Sequence, residues 1–209
     1  MLYFVKTPFW LRKLYGECTW KMPSTEKVIY LTFDDGPHPE ATPFVLAELK
    51  KYNARATFFC IGKNVVGYPE IFQEVINAGH TTGNHTYNHL NGWKTEDDLY
   101  LDDISIAKKH IDSTLFRPPY GRATKRQLKL LRNEPFNLKP CMWTVLSGDF
   151  DEKINGKRCQ QNVIANARSG SIVVFHDSKK ALERLQIALP GVLKYFSDKG
   201  YRFESIIVK

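Results

Sequence analysis

The sequence predicts an α/β fold in a single domain, built on a parallel sheet or barrel. Two observations carry this. Short apolar, β-branched and aromatic runs alternate with helix-like segments along the whole chain. The chemically distinctive residues, Asp34, Asp35, His85, His89, Arg117, Tyr120 and His176, all fall at the C-terminal ends of those runs or in the loops just after them. In a parallel barrel those ends lie on one face, where active sites are built.

The elements follow in order. Residues 28–33 are apolar, β-branched and aromatic, the pattern of a strand buried in a core. Residues 40–52 place Phe44, Val45, Leu46 and Leu49 at helical spacing, with Lys50 and Lys51 where cations favour a helix C-terminus. Residues 54–61 form a second buried strand, closed by Gly62; residues 68–78 form a helix ended by Gly79. A short strand over 80–84 runs into His85. A long amphipathic helix covers 96–113, with Leu99, Ile104, Ala107 and Ile111 inward. Leu115 and Phe116 lead into Arg117 and the turn that follows. Helix 124–132, strand 140–145, helix 156–168, strand 172–175, helix 180–199 and a last strand over 201–208 complete the alternation. No linker or shift of composition divides the chain. Residues 27–209 read as the domain, and residues 1–26 as an N-terminal extension packed against it.

Strand 28–33 ends in Asp34-Asp35-Gly36-Pro37. Gly and Pro stop the strand and turn the chain. Two carboxylates at the end of a buried strand are costly unless their charge is offset or they share a proton. A metal ion offsets it directly. His85 and His89 stand four residues apart, a spacing that on a helical turn puts both imidazoles on one face. With one Asp they make three protein ligands, leaving positions open for water and substrate.

Composition narrows the function classes. With 43% hydrophobic residues in 209, the chain can bury a sizeable core. The net charge of +8 comes from scattered basic residues, so it reads as solubility and not as a nucleic-acid surface. Cys18, Cys60, Cys141 and Cys159 form no Cys-x-x-Cys pair, which argues against a thiolate zinc site or a disulfide framework. Cys60 and Cys141 sit in apolar runs as small core residues. No run is apolar enough to span a bilayer. Lys6, Pro8, Arg12 and Lys13 interrupt any signal-peptide core. A cytoplasmic location is therefore expected, unless export takes another route or the start is misassigned.

Taken together, Thr32-Phe33-Asp34-Asp35-Gly36-Pro37, His85-Thr86-x-x-His89, Arg117-Pro118-Pro119-Tyr120-Gly121 and Val174-Phe175-His176 resemble the successive motifs of the polysaccharide deacetylases of NodB homology, carbohydrate esterase family 4. The resemblance runs from about Val28 to the C-terminus. It implies a distorted (β/α) barrel with fewer than eight regular units, and one divalent metal ion, usually zinc, with cobalt or nickel as alternatives. It implies Asp35, His85 and His89 as metal ligands and Asp34 as the base acting on a metal-activated water. Arg117 would orient Asp34, the Tyr120 backbone N–H would face the oxyanion, and His176 would be the acid. Pro118, Tyr120 and Trp143 would line the substrate site, although core packing is the safer reading of Trp143. The substrate implied is an N-acetylated amino-sugar glycan of peptidoglycan, chitin or lipid-linked type. An O-acetyl esterase and a glycan-binding homologue without turnover are the alternatives.

One departure stands out. The family's fourth motif usually carries two Asp and a Trp; here Leu146 takes the first Asp position and Phe150 the Trp position. The expectation is a His176 without its carboxylate partner and with a lowered pKa. A rescue by Asp149 or Asp151 is the competing expectation. Of the other histidines, His80 reads as a hydrogen-bonding residue at a strand start, His110 as part of a polar helix face and His38 as a loop residue that faces substrate or, equally, solvent.

Overall fold

A computed structural model describes residues 3–207. Its strands are β1 (Val28–Asp34), β2 (Thr57–Cys60), β3 (Thr81–Asn84), β4 (Leu115–Phe116), β5 (Lys139–Pro140), β6 (Val145–Leu146), β7 (Ile172–His176) and β8 (Arg202–Phe203). Its helices are α1 (Phe9–Leu14), α2 (Ala41–Lys51), α3 (Gly62–Gly67), α4 (Pro69–Asn77), α5 (Asp97–Lys108), α6 (Lys125–Leu131), α7 (Gly156–Asn166) and α8 (Leu182–Asp198). The strands pair in the order β5-β4-β3-β2-β1-β7-β6, every pair parallel. The curled parallel sheet with helices around it is the distorted barrel expected from the sequence. No described helix is long and apolar enough to cross a membrane.

Strand periodicity decides what each residue faces. On β1, Ile29, Leu31 and Phe33 are buried against the helices, in a cluster with Val45, Leu49, Leu185 and Leu189. Each such side chain contributes about 1.5–3 kcal/mol by leaving water. The alternate residues Thr32 and Asp34 turn toward the barrel interior, as do Phe59, Leu115 and Ile172 from other strands. Strand β8 is short; its backbone hydrogen bonds to Lys27, Ile29 and Arg55 wedge it between the starts of β1 and β2. Val208, expected in this strand, lies outside the described residues.

Two expectations are corrected. The single strand over 140–145 is two short strands, because the run changes partner in its middle. Residues 139–140 pair with β4, Cys141 bridges Thr19, and residues 145–146 pair with β7. The edge strands β5 and β6 do not pair with each other within the sheet. The N-terminal segment runs along that seam: Thr19 N–H donates to Pro140 O (2.8 Å), Leu146 N–H to Val5 O (2.8 Å) and Thr7 N–H to Thr144 O (3.0 Å). The second correction is Leu99, which is 63% exposed. The buried stripe of α5 is Tyr100, Asp103, Ile104 and Ala107, so a carboxylate occupies an inward position.

Candidate active site

The C-terminal ends of the strands converge on a cavity of about 510 Å³. Asp34, Asp35, His85, His89, Pro118, Tyr120, Trp143 and His176 all line it. Arg117 lies behind this lining and is fully buried.

Asp35 follows β1, with φ 82. His85 and His89 are not on a helical turn, as their spacing predicts. They flank a loop in which Thr86 (φ 63) and His89 (φ 59) take left-handed backbone conformations that non-glycine residues rarely adopt. Asp103 pins this loop: its Oδ2 accepts the Tyr87 and Asn88 backbone N–H groups at 2.8 and 2.9 Å, and its Oδ1 accepts Asn88 Nδ2 at 2.6 Å. Asn64 Nδ2 donates to the Asp35 carbonyl at 2.7 Å.

The three side chains fit a cation. Their ligand atoms lie within 4.8 Å of one another. His85 Nδ1 is 2.7 Å from the Arg117 carbonyl, which only accepts, so Nδ1 carries the proton and Nε2 presents a lone pair. Burial lowers the His85 pKa to about 4 and keeps the ring neutral. His85 Nε2 and His89 Nε2 approach Asp35 Oδ1 to 3.7 and 3.2 Å, and that buried oxygen accepts no aligned hydrogen bond among the described residues. Burial opposes the Asp35 charge, but the nearby His89, His176 and His85 outweigh it and hold the carboxyl below the ordinary range.

Asp34 is buried at the end of β1 and paired with Arg117 from the far side of the barrel. Arg117 NH1 donates to Asp34 Oδ1 (2.7 Å) and Thr32 Oγ1 (2.7 Å). Its Nε donates to Cys141 O (3.0 Å) and its NH2 to Met142 O (3.2 Å), and the guanidinium lies 4.0 Å from the Phe59 ring centroid. This network fixes the plane of the guanidinium and so the orientation of the carboxylate.

His176, at the end of β7, sits beside Asp34 across the β1–β7 pairing. Its carboxylate partner is Asp149. Asp149 Oδ1 lies 2.7 Å from the ring Nδ1, and Oδ2 accepts the His176 backbone N–H at 2.7 Å. Burial by itself lowers the His176 pKa, but the charge and hydrogen bond of Asp149, with the charges of Asp35 and Asp34, raise it to about 10. The lowered value expected from Leu146 is therefore corrected; Leu146 is a buried apolar residue of the cavity lining. Asp151 bonds Tyr3 and is not on His176.

Tyr120 sits in the turn after β4 with φ 60, its ring 4.7 Å from that of His89. Trp143 packs against this turn, where a Cβ on Gly121 would come within 2.6 Å of it.

Residues 21–138 match the family model described as polysaccharide deacetylase. A peptidoglycan-N-acetylglucosamine deacetylase of Bacillus cereus is 36% identical over 197 residues, 91% of this chain and 92% of that one. This chain belongs to the polysaccharide deacetylase family. A chitooligosaccharide deacetylase of Azorhizobium caulinodans is 34% identical, over 75% of this chain and 77% of that one. The crystal structure of a peptidoglycan N-acetylglucosamine deacetylase in complex with 4-naphthalen-1-yl-N-oxidanyl-benzamide superposes with a TM-score of 0.86 at 31% identity, covering 96% of this chain and 95% of that one.

In this polysaccharide deacetylase, two buried carboxylates beside the site, Asp103 and Asp177, belong to none of the sequence motifs. Asp103 was hidden on a helix face read as apolar. Asp177, next to His176, accepts the Gly36 backbone N–H at 3.1 Å and the Thr42 hydroxyl at 2.6 Å. Burial and the Asp35 charge raise its pKa to about 8. A Cβ on Gly36 would fall 2.0 Å from this carboxyl, which explains the glycine after Asp35. The signal for Asp177 was its place in the His-Asp pair ending β7. His80 behaves as read, its Nδ1 accepting the Ala56 N–H at 3.3 Å; His38 Nδ1 accepts the backbone N–H groups of Glu40 (3.2 Å) and Ala41 (3.3 Å), and His110 lies in the turn just after α5 and not on its face. All four cysteines are free and buried.

Proposed function

We propose that this chain hydrolyses the acetamide of an N-acetylated amino sugar within a glycan, releasing acetate and leaving the free amine. The observation that carries the reading is the company kept by the Asp35, His85 and His89 cluster. In one cavity with it stand Asp34, held by Arg117, and His176, held by Asp149.

Asp35, His85 and His89 would hold the ion; two imidazoles and one carboxylate suit zinc first, with cobalt and nickel following in the same donor set. A divalent ion there supplies an acidified water and polarises the acetyl carbonyl. Asp34 is the base that takes the water's proton as oxygen attacks the carbonyl carbon. Arg117 keeps that carboxylate aimed into the cavity. The backbone N–H of Tyr120 donates to the oxygen on which negative charge develops. The C–N bond then breaks as His176 gives its Nε2 proton to the departing nitrogen. Asp149 holds Nδ1 and the imidazolium charge, so the ring stays protonated at neutral pH. Pro118, Tyr120 and Trp143 form the walls around the acetylated sugar.

The relatives named for peptidoglycan and chitooligosaccharides favour an N-acetyl over an O-acetyl substrate. The Asp149–His176 pair speaks against a binding protein without turnover, since a raised histidine pKa serves proton donation. The test is acetate release from N-acetylated peptidoglycan and chitooligosaccharides, before and after chelation and with zinc restored. Chelator-sensitive release is expected; no release from either glycan contradicts the reading.

A further inference from the structure

The N-terminal strap, residues 3–8, lies outside the stretch matched by the family model, yet it walls the cavity. Three independent contacts hold it there. Its backbone joins β6: Leu146 N–H donates to Val5 O (2.8 Å), Thr7 N–H donates to Thr144 O (3.0 Å), and Lys6 bridges Val145. The Thr7 hydroxyl donates to Trp143 O at 2.8 Å, behind the Trp143 wall. The Tyr3 hydroxyl donates to Asp151 Oδ2 at 3.0 Å. Tyr3 also meets Phe150 edge-on at 5.1 Å between centroids, and Phe150 meets His176 edge-on at 5.3 Å. The strap is thus packed, through one aromatic ring, against the histidine of the site.

A strap serving only to cover the β5–β6 seam would turn its large apolar side chains inward. Phe4 does not: it lines the cavity and is 58% exposed. Trp93 and Tyr120 line the same cavity and are also exposed. A flat apolar ring, open to water and bordering a polar reaction site, suits the C–H face of a pyranose, which is apolar while its rim is hydroxylated.

We propose that Phe4 is a glycan-binding residue, stacking on a sugar of the substrate beyond the one that loses its acetyl group, and that the strap thereby makes this enzyme prefer oligomers to disaccharides. The inference rests on the deacetylase reading above. The occupant is the neutral pyranose face of an N-acetylated glycan, because the ring offers an apolar contact and no charge.

The experiment compares unmodified protein, Phe4→Ala and Phe4→Trp on disaccharides and hexasaccharides, prepared from chitin and from peptidoglycan. Phe4 is exposed, so its truncation leaves the core intact. In whichever series the unmodified protein turns over, Phe4→Ala raises KM for the hexasaccharide by about fivefold, the loss of one stacking contact. KM for the disaccharide and both kcat values stay unchanged, and Phe4→Trp restores the hexasaccharide KM. An unaltered KM on both lengths, or an equal rise on both, overturns the inference. No turnover by the unmodified protein in either series overturns the deacetylase reading itself.

Discussion

Asp149 grips His176 twice, through the ring Nδ1 and through the backbone N–H, each at 2.7 Å. Asp149 is itself fixed, its carbonyl accepting Arg184 Nε at 2.6 Å. The protonation of His176 is therefore set by a carboxylate three residues after Leu146.

With the His176 pKa raised to about 10, the alkaline limb of kcat falls late. Asp149→Asn moves that limb down toward the ordinary histidine value of about 6.5, since only the charges of Asp35 and Asp34 then oppose burial. Turnover at pH 7 falls about fourfold, the share of the ring that loses its proton at that pKa. The linkage has a definite sign: His176 is raised in the folded state, so its contribution to stability is full below about pH 6.5 and is lost as pH rises through about 10. Leu146→Asp shifts the limb little, because Nδ1 is already occupied. Profiles of kcat against pH for the three proteins check this. A limb moved by Leu146→Asp and not by Asp149→Asn contradicts it.

Arg117→Ala destabilises the fold by about 3–5 kcal/mol, because it leaves Asp34 buried and unpaired. Arg117→Lys does not restore it, since an ammonium cannot reproduce the planar set of bonds to Asp34, Thr32, Cys141 and Met142. Urea unfolding of both variants gives the numbers. A loss within about 1 kcal/mol for Arg117→Ala, the range of surface changes, contradicts the paired burial.

Asp103→Ala weakens metal binding ~10–100-fold without removing a ligand, because the loop between His85 and His89 loses the acceptor that fixes its amides. A titration in buffered zinc, read as bound metal, measures this. Unchanged affinity shows that the loop is held without Asp103.

Metal binding also shows in stability. Zinc held by the folded protein alone stabilises it by about 2.7 kcal/mol at a hundred times Kd, and a chelator abolishes that gain. His85→Ala and His89→Ala lose bound zinc and with it the chelator-sensitive part of Tm. Full metal occupancy in both variants contradicts the ligand set.

Much of this architecture was legible in the sequence, for reasons specific to each part. Strands β1 and β7 announce themselves because both are buried on both faces, so Val28–Asp34 and Ile172–His176 carry almost no polar residues before the Asp and His that end them. The run around 140–145 looked like one strand because an extended backbone with changing partners has the composition of one with constant partners. The strap was illegible as part of the site, since its pairing with β6 joins residues about two thirds of the chain apart. His85 and His89 meet through left-handed backbone at Thr86 and His89, a conformation that spacing does not encode. Leu99 and Asp103 exchange their expected places because Asp103 is bonded to loop amides, a tertiary contact that outweighs hydrophobic order.

The proposed mechanism turns on Asp34 as the base of a metal-dependent deacetylase. Its most direct test is acetate release per bound zinc in Asp34→Asn beside the unmodified protein. Asn keeps the shape and the Arg117 contact but cannot take up a proton. Equal zinc content is expected in the two proteins, with a rate lower by ~10²–10⁴-fold in Asp34→Asn. Equal rates at equal zinc content would contradict it.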